Sequence, residues 1–218
     1  MYVGLKMISN VPTVTAQTLV MEADKIMEKD HLWMLMVVDD QGRYVGAVRK
    51  EDVRSALPSP VTTLSRHELN YLMSKLTLEK LILKNVPTVP PQMEIEEAAK
   101  IMYDLDLAGL PVVDSKNNLL GFINRNVMLA VLVEEMGLEQ GGSRIVFEVE
   151  ERTGVIAEVS GLIAAMNVSI ISTATFYTNG KRMVVIRVQM DDPGPVLKAL
   201  LERGYHVVGP CDFAKEWC

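Results

Sequence analysis

The stretch that decides the fold is residues 36–52, MVVDDQGRYVGAVRKED, because it returns 75 residues later as residues 111–127, PVVDSKNNLLGFINRNV. Four residues of the first copy keep their places in the second: Val37, Val38, Asp39 and Gly46. The repetition extends towards the amino terminus, where residues 10–14 and 85–89 both read NVPTV, and no insertion or deletion separates the copies. Solenoid repeats are only roughly 20 to 50 residues long, so this pattern predicts a duplicated domain.

Each copy has only about 50 patterned residues, and domains of that size bury too little surface to be comfortably stable alone. We therefore expect the two copies to pack against each other as a pseudo-twofold pair. A ligand site is then expected in the cleft between them.

The local pattern predicts the same elements in each copy. Residues 18–30 place apolar side chains at spacings of three and four, which indicates a helix with one apolar stripe. An apolar strand follows at 34–38, and a polar turn at 39–42 leads to a second strand. Each copy is therefore predicted to contain an extended entry, a helix, a strand hairpin and an exit helix. Between the copies, Ser65 and Glu68 form an S-x-x-E pattern, which predicts a capping box and a connecting helix.

The composition limits the classes of function. Hydrophobic residues make up 49% of the 218 residues, which is enough for real cores, and the net charge is −6 with a pI near 5.2. This acidic balance argues against direct nucleic-acid binding, because phosphate backbones require basic surfaces. No apolar run approaches the roughly 18 residues of a membrane span, and no secretory leader is recognisable. We expect a cytosolic protein with no membrane partner.

The residues that most often bind metals or act as nucleophiles lie in no recognisable motif. Cys211 and Cys218 are expected to be ordinary thiols, with a redox-sensitive pair as the alternative. His31, His67 and His206 are scattered and share no metal-ligand spacing, so they are expected to be surface or packing residues. No Gly-rich phosphate loop or nucleophile elbow occurs. We expect no catalytic residue, no metal and no cofactor.

The last 75 residues follow a different pattern. A strand-like segment at 144–149 and a helix through residues 156–166 precede two strands, which are joined through Asn179-Gly180, a strong hairpin signal. A second helix ends at Gly204, and a final strand follows at 205–208. The order strand, helix, strand, strand, helix, strand is that of a ferredoxin-like fold. The whole chain is predicted to combine α/β and α+β architecture.

At this point the residues carry a resemblance to known families. Both repeats resemble CBS motifs, and together residues 5 to 135 resemble a Bateman module, with its V-x-T-V entry, P-V-V-D strand and G-h-h-T-x-x-D exit. The tail is similar to an ACT domain, whose first loop usually reads D-R-P-G and whose first helix ends in N-I or N-V. Here these are residues 151–154, ERTG, and Asn167-Val168. The order CBS, CBS, ACT resembles the AcuB family, small proteins named for acetoin utilisation.

This resemblance and the glycine-rich segment after the second copy define the expected domains. They are 1–57 for the first CBS motif, 58–77 for the connecting helix, 78–136 for the second CBS motif, 137–143 for a flexible linker and 144–218 for a ferredoxin-like βαββαβ ACT domain. The linker is predicted from glycine density with little apolar content.

The CBS resemblance implies that an adenosine nucleotide, AMP, ADP or ATP, binds in the cleft. Asp52 would accept hydrogen bonds from both ribose hydroxyls, and the alternative is an ordinary helix-start acid favoured by the helix dipole. Arg49 stands where the family usually has Thr or Ser. Its guanidinium can hold a phosphate as a planar fork, or it can fill the pocket. The adenine is expected to contact Thr13, Leu35, Met36 and Val37.

The second copy is expected to bind less well or with different selectivity. Val127 replaces the ribose-binding acid and cannot hold a diol, while Asn124 keeps a polar group at the Thr position and can cap the helix. The residues expected around this site are Thr88, Gly109, Leu110, Pro111 and Asn124.

The ACT resemblance implies an amino-acid ligand, because a helix amino terminus offers free N–H groups to a carboxylate. A structural turn in a domain that only dimerises is the alternative. Thr153 replaces the usual Pro, which leaves the loop less rigid. The residues expected at the site are Glu151, Gly154, Val155, Ile156 and Asn167.

The expected function is a non-catalytic regulatory sensor that couples ligand occupancy to a partner enzyme or to the oligomeric state. Such a switch requires that the ligand bind two states with different affinity. The alternative is a scaffold that only drives oligomerisation. Both families usually self-associate, so a homodimer is expected. An enzyme is not expected, because no nucleophile, base and orienting group can be assembled from the motifs.

Overall fold

In this computed structural model, residues 1–58, 65–214 and 216 are described, and they fall into two units, Met1–Met128 and Leu129–Cys218. The predicted mixture of helices and strands is confirmed in both units. Among the described residues, no helix is both long enough and apolar enough to cross a membrane.

The first unit contains the duplication. Its elements are α1 (Val3–Lys6), β1 (Thr13–Val14), α2 (Val20–Lys29), β2 (Met34–Val38), β3 (Tyr44–Arg49), α3 (Lys50–Ala56), α4 (Arg66–Met73), a 3-10 turn (Leu78–Lys80), α5 (Ile95–Asp104), β4 (Gly109–Val113), β5 (Leu119–Asn124) and α6 (Arg125–Glu135). The pairs α2 and α5, β2 and β4, and β3 and β5 each begin and end 75 residues apart. A β-bulge also recurs at this offset, in β2 and in β4. The repeat predicted from sequence is therefore a structural repeat.

Strand β2 separates two hydrophobic cores, because its side chains alternate between its two faces. Leu35 and Val37 lie in the core of the first repeat with residues of α2 and α3. Met34 and Met36 instead pack against Phe122 of the second repeat. The second core joins the two repeats, as the small size of each copy predicts.

Each repeat is bordered by the segment that precedes the other one. The amide of Ile8 donates to the carbonyl of Phe122 in β5, and the amide of Phe122 donates back to Ile8. Leu83 makes the same reciprocal pair with Ala47 in β3. Both pairs are related by the 75-residue offset. This exchange of entry segments places residues of one repeat beside the exit strand of the other.

The connecting helix begins as its capping box predicts. The Ser65 backbone amide donates to Glu68 Oε2 over 2.9 Å, and the Glu68 amide donates back to Ser65 Oγ over 3.4 Å. The hydroxyl and amide of Ser65 hold the pKa of Glu68 below its usual value. Of the predicted break at 58–60, residues 59 and 60 lie outside the described residues.

The second unit contains β6 (Ser143–Val149), α7 (Val155–Ala165), β7 (Ile170–Thr178), β8 (Lys181–Val188), α8 (Gly194–Glu202), β9 (His206–Val207) and α9 (Pro210–Phe213), after a 3-10 turn at Leu138–Gln140. Every strand pair is antiparallel, and the strand order is β7-β8-β6-β9. Helices α7 and α8 supply Val159, Ile163 and Leu200 to the core that covers this sheet. The predicted order of strands and helices is observed.

The segment predicted as a flexible linker, 137–143, is instead anchored to the second unit. Arg187 in β8 donates to the carbonyls of Gly141 and Gly142 over 3.0 and 3.1 Å. Gly142 has a φ of 69°, and a Cβ there would lie 2.1 Å from the carbonyl oxygen of Val188. Glycine at this position permits close approach of two backbones, so glycine density here does not indicate flexibility.

The prediction of ordinary thiols is wrong for Cys211, which is disulfide-bonded. Cys218 lies outside the described residues.

Candidate functional site

The larger of two described cavities between the repeats has a volume of about 530 Å³ and will be called the Arg49 cavity. It lies where the first repeat's exit strand and helix meet the start of β4. Its lining residues are Trp33, Met34, Arg49, Lys50, Glu51, Arg54, Asp106, Leu107 and Ala108. Small-molecule sites usually have volumes of about 300–1,000 Å³, so this cavity is large enough for a nucleotide.

Arg49 ends β3 and immediately precedes α3, and its guanidinium is held by two carboxylates. Its Nε donates to Asp52 Oδ2 over 2.8 Å, and Nη2 donates to Asp52 Oδ1 over 3.3 Å. Its Nη1 lies 2.9 Å from Glu51 Oε1. The hydrogen bond with Asp52 is the main cause that raises the pKa of Arg49. In this geometry the guanidinium fork is occupied by the protein's own acids.

Asp52 reaches the cavity only through this pair. Among the described residues that line the Arg49 cavity, Arg49 and Glu51 are present and Asp52 is not. The Asp52 side chain is 29% exposed. Contact between Asp52 and a ribose therefore stays a prediction, and it requires Arg49 to release the carboxylate.

A smaller cavity of about 210 Å³ lies beside the second repeat's exit strand and will be called the Asn124 cavity. Its lining residues are Ile8, Asn10, Val11, Pro12, His31, Leu32, Trp33, Met34, Met36, Phe122, Asn124 and Asn126. The rings of Trp33 and Phe122 lie 5.9 Å apart at 49°. Asn124 Oδ1 accepts the Val127 amide over 2.9 Å, which confirms the predicted helix cap.

The exchanged entry segments change how the predicted site residues are grouped. Arg49 shares a cavity with residues 106–108 of the second repeat, and Asn124 shares one with residues 10–12 of the first. Met36 lines the Asn124 cavity. Leu35 and Val37 point into the first repeat's core, so only their backbone could reach a ligand.

The remaining predicted nucleotide-site residues lie at the edges of these cavities or within the sheets. Thr13 and Thr88 have exposed side chains. Gly109, Leu110 and Pro111 are buried in β4. A Cβ at Gly109 would lie 2.4 Å from Phe122 Cζ, so this glycine is required for packing rather than for ligand access.

Trp33 is the functional candidate that sequence reasoning passed over as a core residue. It lines both cavities, and the three residues of the second repeat in the Arg49 cavity, 106–108, correspond to residues 31–33. Asp106 and His31 share a left-handed backbone, with φ of 48° and 52°. The 75-residue offset was the signal from which these matching positions could have been found.

A third cavity, of about 370 Å³, lies in the second unit and will be called the Arg152 cavity. Its lining residues are Glu148, Val149, Glu150, Arg152, Val155, Arg203, Gly204, Tyr205 and His206. Arg152 Nη2 donates to Glu158 Oε2 over 2.6 Å and to the Tyr205 hydroxyl over 3.2 Å. These bonds lower the pKa of Glu158 and orient Arg152. The cavity therefore presents fixed charges of both signs.

The predicted amino-acid residues are not gathered at one place within the unit. Val155 lines the Arg152 cavity. Glu151 accepts a hydrogen bond from the Tyr177 hydroxyl over 3.2 Å, and Gly154 caps α7 with a φ of 88°. Asn167 follows the far end of α7, and at 1.5 Å per residue it lies about 20 Å from Gly154. One small ligand cannot contact both ends of the helix.

The comparisons with known proteins concern the first unit's pattern. The CBS domain family matches residues 3–59 and 78–134, which together make up more than half of the chain. A CBS domain-containing protein of Dictyostelium discoideum is 31% identical over 125 residues, which cover 56% of this chain and 84% of that protein. Two relatives named as enzymes, a sulfurtransferase and an acetyltransferase, match over only 21% and 24% of their own lengths.

Two solved structures are similar in fold. The structure of CBSX2 in complex with AMP, a protein of Arabidopsis thaliana, is 25% identical with a TM-score of 0.51, and the match covers 61% of this chain and 96% of that one. An acetoin utilization protein (AcuB) of Vibrio cholerae is 21% identical with a TM-score of 0.53, over 66% of this chain and 98% of that one. At 21% identity the second comparison shows the fold alone.

Proposed function

This chain belongs to the CBS domain family, and on that premise we propose that it is a non-catalytic, cytosolic regulatory protein that binds an adenosine nucleotide between its two CBS motifs. The nucleotide is AMP, ADP or ATP, and the site is the Arg49 cavity. Support comes from the AMP complex of the similar protein CBSX2. The family's proteins are generally regulatory, and the relatives with enzyme names share only a minor part of their length with this chain.

The observation that carries this proposal is the combination of groups around the Arg49 cavity. Trp33 and Leu107 give it apolar walls for a base, while Arg49 and Lys50 bring positive charge to its edge. Lys50 has no ion pair among the residues that the structure describes, so its ammonium is available to a phosphate. A planar apolar surface next to cations matches the chemistry of a nucleotide.

Calorimetric titration with AMP, ADP and ATP tests this proposal. We expect saturable binding of at least one of them at concentrations below about 1 mM, which corresponds to about 4 kcal/mol. Trp33→Ala should weaken that binding, and Tyr103→Ala, which removes an aromatic side chain that is 85% exposed on α5, should not. An absence of heat for all three nucleotides at millimolar concentration contradicts the proposal.

We also propose that the second unit is an ACT domain that binds an amino acid in the Arg152 cavity. The antiparallel order β7-β8-β6-β9 with two crossover helices supports a ferredoxin-like assignment. Arg203 lies 4.0 Å from Glu158, the limit of an ion pair, and Glu150 has an exposed carboxylate. A zwitterion offers an opposite charge to each of these groups. A thermal-shift screen of the twenty amino acids on wild type and Arg203→Gln tests this, and equal shifts in both proteins reject the site.

A second candidate function is a scaffold that forms homodimers and contacts a partner enzyme without sensing a small molecule. The pairing of Arg49 with Asp52 and Glu51 favours it, because these charges are already satisfied without a ligand. Sedimentation velocity with and without AMP separates the two functions. The scaffold keeps one oligomeric state in both conditions, and the sensor changes its state or its conformation when the nucleotide is added.

A further inference from the structure

We propose that Arg49 makes the Arg49 cavity selective for phosphorylated adenosine compounds, by exchanging its carboxylate partners for the ligand's phosphate. This inference rests on the proposed nucleotide function and names the chemical class that the site selects. In the ligand-free chain the guanidinium occupies both Asp52 and Glu51. A phosphate takes over the fork, and Asp52 is thereby released to the ribose hydroxyls.

The geometry favours such an exchange because every nitrogen of the fork already faces an oxygen pair. Nε and Nη2 lie 2.8 and 3.3 Å from the two oxygens of Asp52, and Nη1 lies 2.9 Å from Glu51. A phosphate presents the same planar arrangement of acceptors as a carboxylate, with more negative charge. The ligand therefore replaces one bidentate contact with another.

The partners that must be released are held weakly. The Arg49 side chain is 45% exposed and that of Asp52 is 29% exposed, so water screens their attraction. Exposed ion pairs contribute little net stability. A phosphate that enters the desolvated side of the cavity can therefore compete for Arg49.

An uncharged adenosine faces the opposite situation. Its ribose needs the oxygens of Asp52 that Arg49 holds, and it offers the guanidinium no anion in return. Binding then either leaves the Asp52 pair intact and loses the ribose contact, or breaks the pair without compensation. Hydrogen bonds to charged groups are stronger than neutral ones, so phosphorylated ligands are favoured.

The second repeat shows which residues make the exchange possible. The positions that correspond to Arg49, Glu51 and Asp52 are Asn124, Asn126 and Val127. Asn124 is engaged as the cap of α6, and neither of the other two carries a charge. The Asn124 cavity therefore lacks the switchable ion pair, and the selectivity is confined to the Arg49 cavity.

The test compares the affinities of AMP and adenosine by calorimetry in wild type, Arg49→Gln and a matched control. Arg43→Gln is that control, because Arg43 Nε makes a similar 2.7 Å pair with Asp39 on the β2–β3 turn and lies outside the residues that line either cavity. We expect wild type and Arg43→Gln to bind AMP at least about tenfold more tightly than adenosine, the ratio that one charge-assisted contact supplies. Arg49→Gln should reduce that ratio to about threefold or less.

Three outcomes decide between the explanations. If Arg49→Gln binds AMP with the wild-type ratio, the assignment of Arg49 is wrong while the proposed nucleotide function stands. If wild type binds neither compound, the proposed function fails and this inference fails with it. Arg49→Lys keeps the charge but loses the fork, so it should show an intermediate ratio. It provides the same test if the Gln variant does not fold.

Discussion

Phe122→Ala tests whether the two repeats form one packed unit. Phe122 is 6% exposed, lies in the core shared by the repeats, and contacts the ring of Trp33. Truncation of a buried Phe costs about 3–5 kcal/mol. We expect about 3 kcal/mol, the lower end, because the Asn124 cavity beside Phe122 already leaves one side of the ring without packing partners.

Urea unfolding followed by far-ultraviolet circular dichroism measures this loss. With a slope of about 2 kcal/mol per molar urea, the midpoint of the first unit's transition should fall by about 1.5 M. Tyr103→Ala is the control, since its ring is 85% exposed and its removal should change stability by less than about 0.5 kcal/mol. A Phe122→Ala loss below about 1 kcal/mol would refute the argument that this core holds the repeats together.

Three further predictions concern the anchored segment, the second exit helix and the second unit's ion pair. Gly142→Ala should destabilise by on the order of 1–3 kcal/mol in thermal melts, and Gly141→Ala by less, because both have positive φ but only Gly142 faces a close carbonyl oxygen. Asn124→Ala should cost about 1 kcal/mol in urea unfolding because α6 loses its cap; no change would mean the cap is unimportant. Arg152 lowers the pKa of Glu158 below its usual 4.5, so this stabilisation is present above that value and is lost as pH falls through the folded-state pKa. Glu158→Gln should therefore flatten the acid side of the melting-temperature profile, and an unchanged profile would contradict this.

Sequence reasoning found most of the fold because the repeat carried its own internal check. The apolar spacing of α2 and the run from Met34 to Val38 appear twice at one offset, and the observed boundaries match in both copies. The capping box at Ser65 was also predictable, because both partners lie within one helical turn. Local patterns of this kind depend on neighbours in sequence.

The grouping of the site residues could not be predicted in the same way. It depends on the entry segments that the repeats exchange, and the Ile8–Phe122 contact joins residues more than a hundred positions apart. The linker prediction was wrong because Arg187 supplies hydrogen bonds from a distant strand. The Arg49–Asp52 pair did leave a signal, since opposite charges three residues apart at a helix start are neighbours.

The most direct test of the central claim is a crystal structure of the protein grown with saturating AMP. The account predicts AMP in the Arg49 cavity, with its base near Trp33, its phosphate on Arg49 and its ribose on Asp52. An Arg49 cavity without AMP, or AMP bound only elsewhere on the chain, would contradict the account.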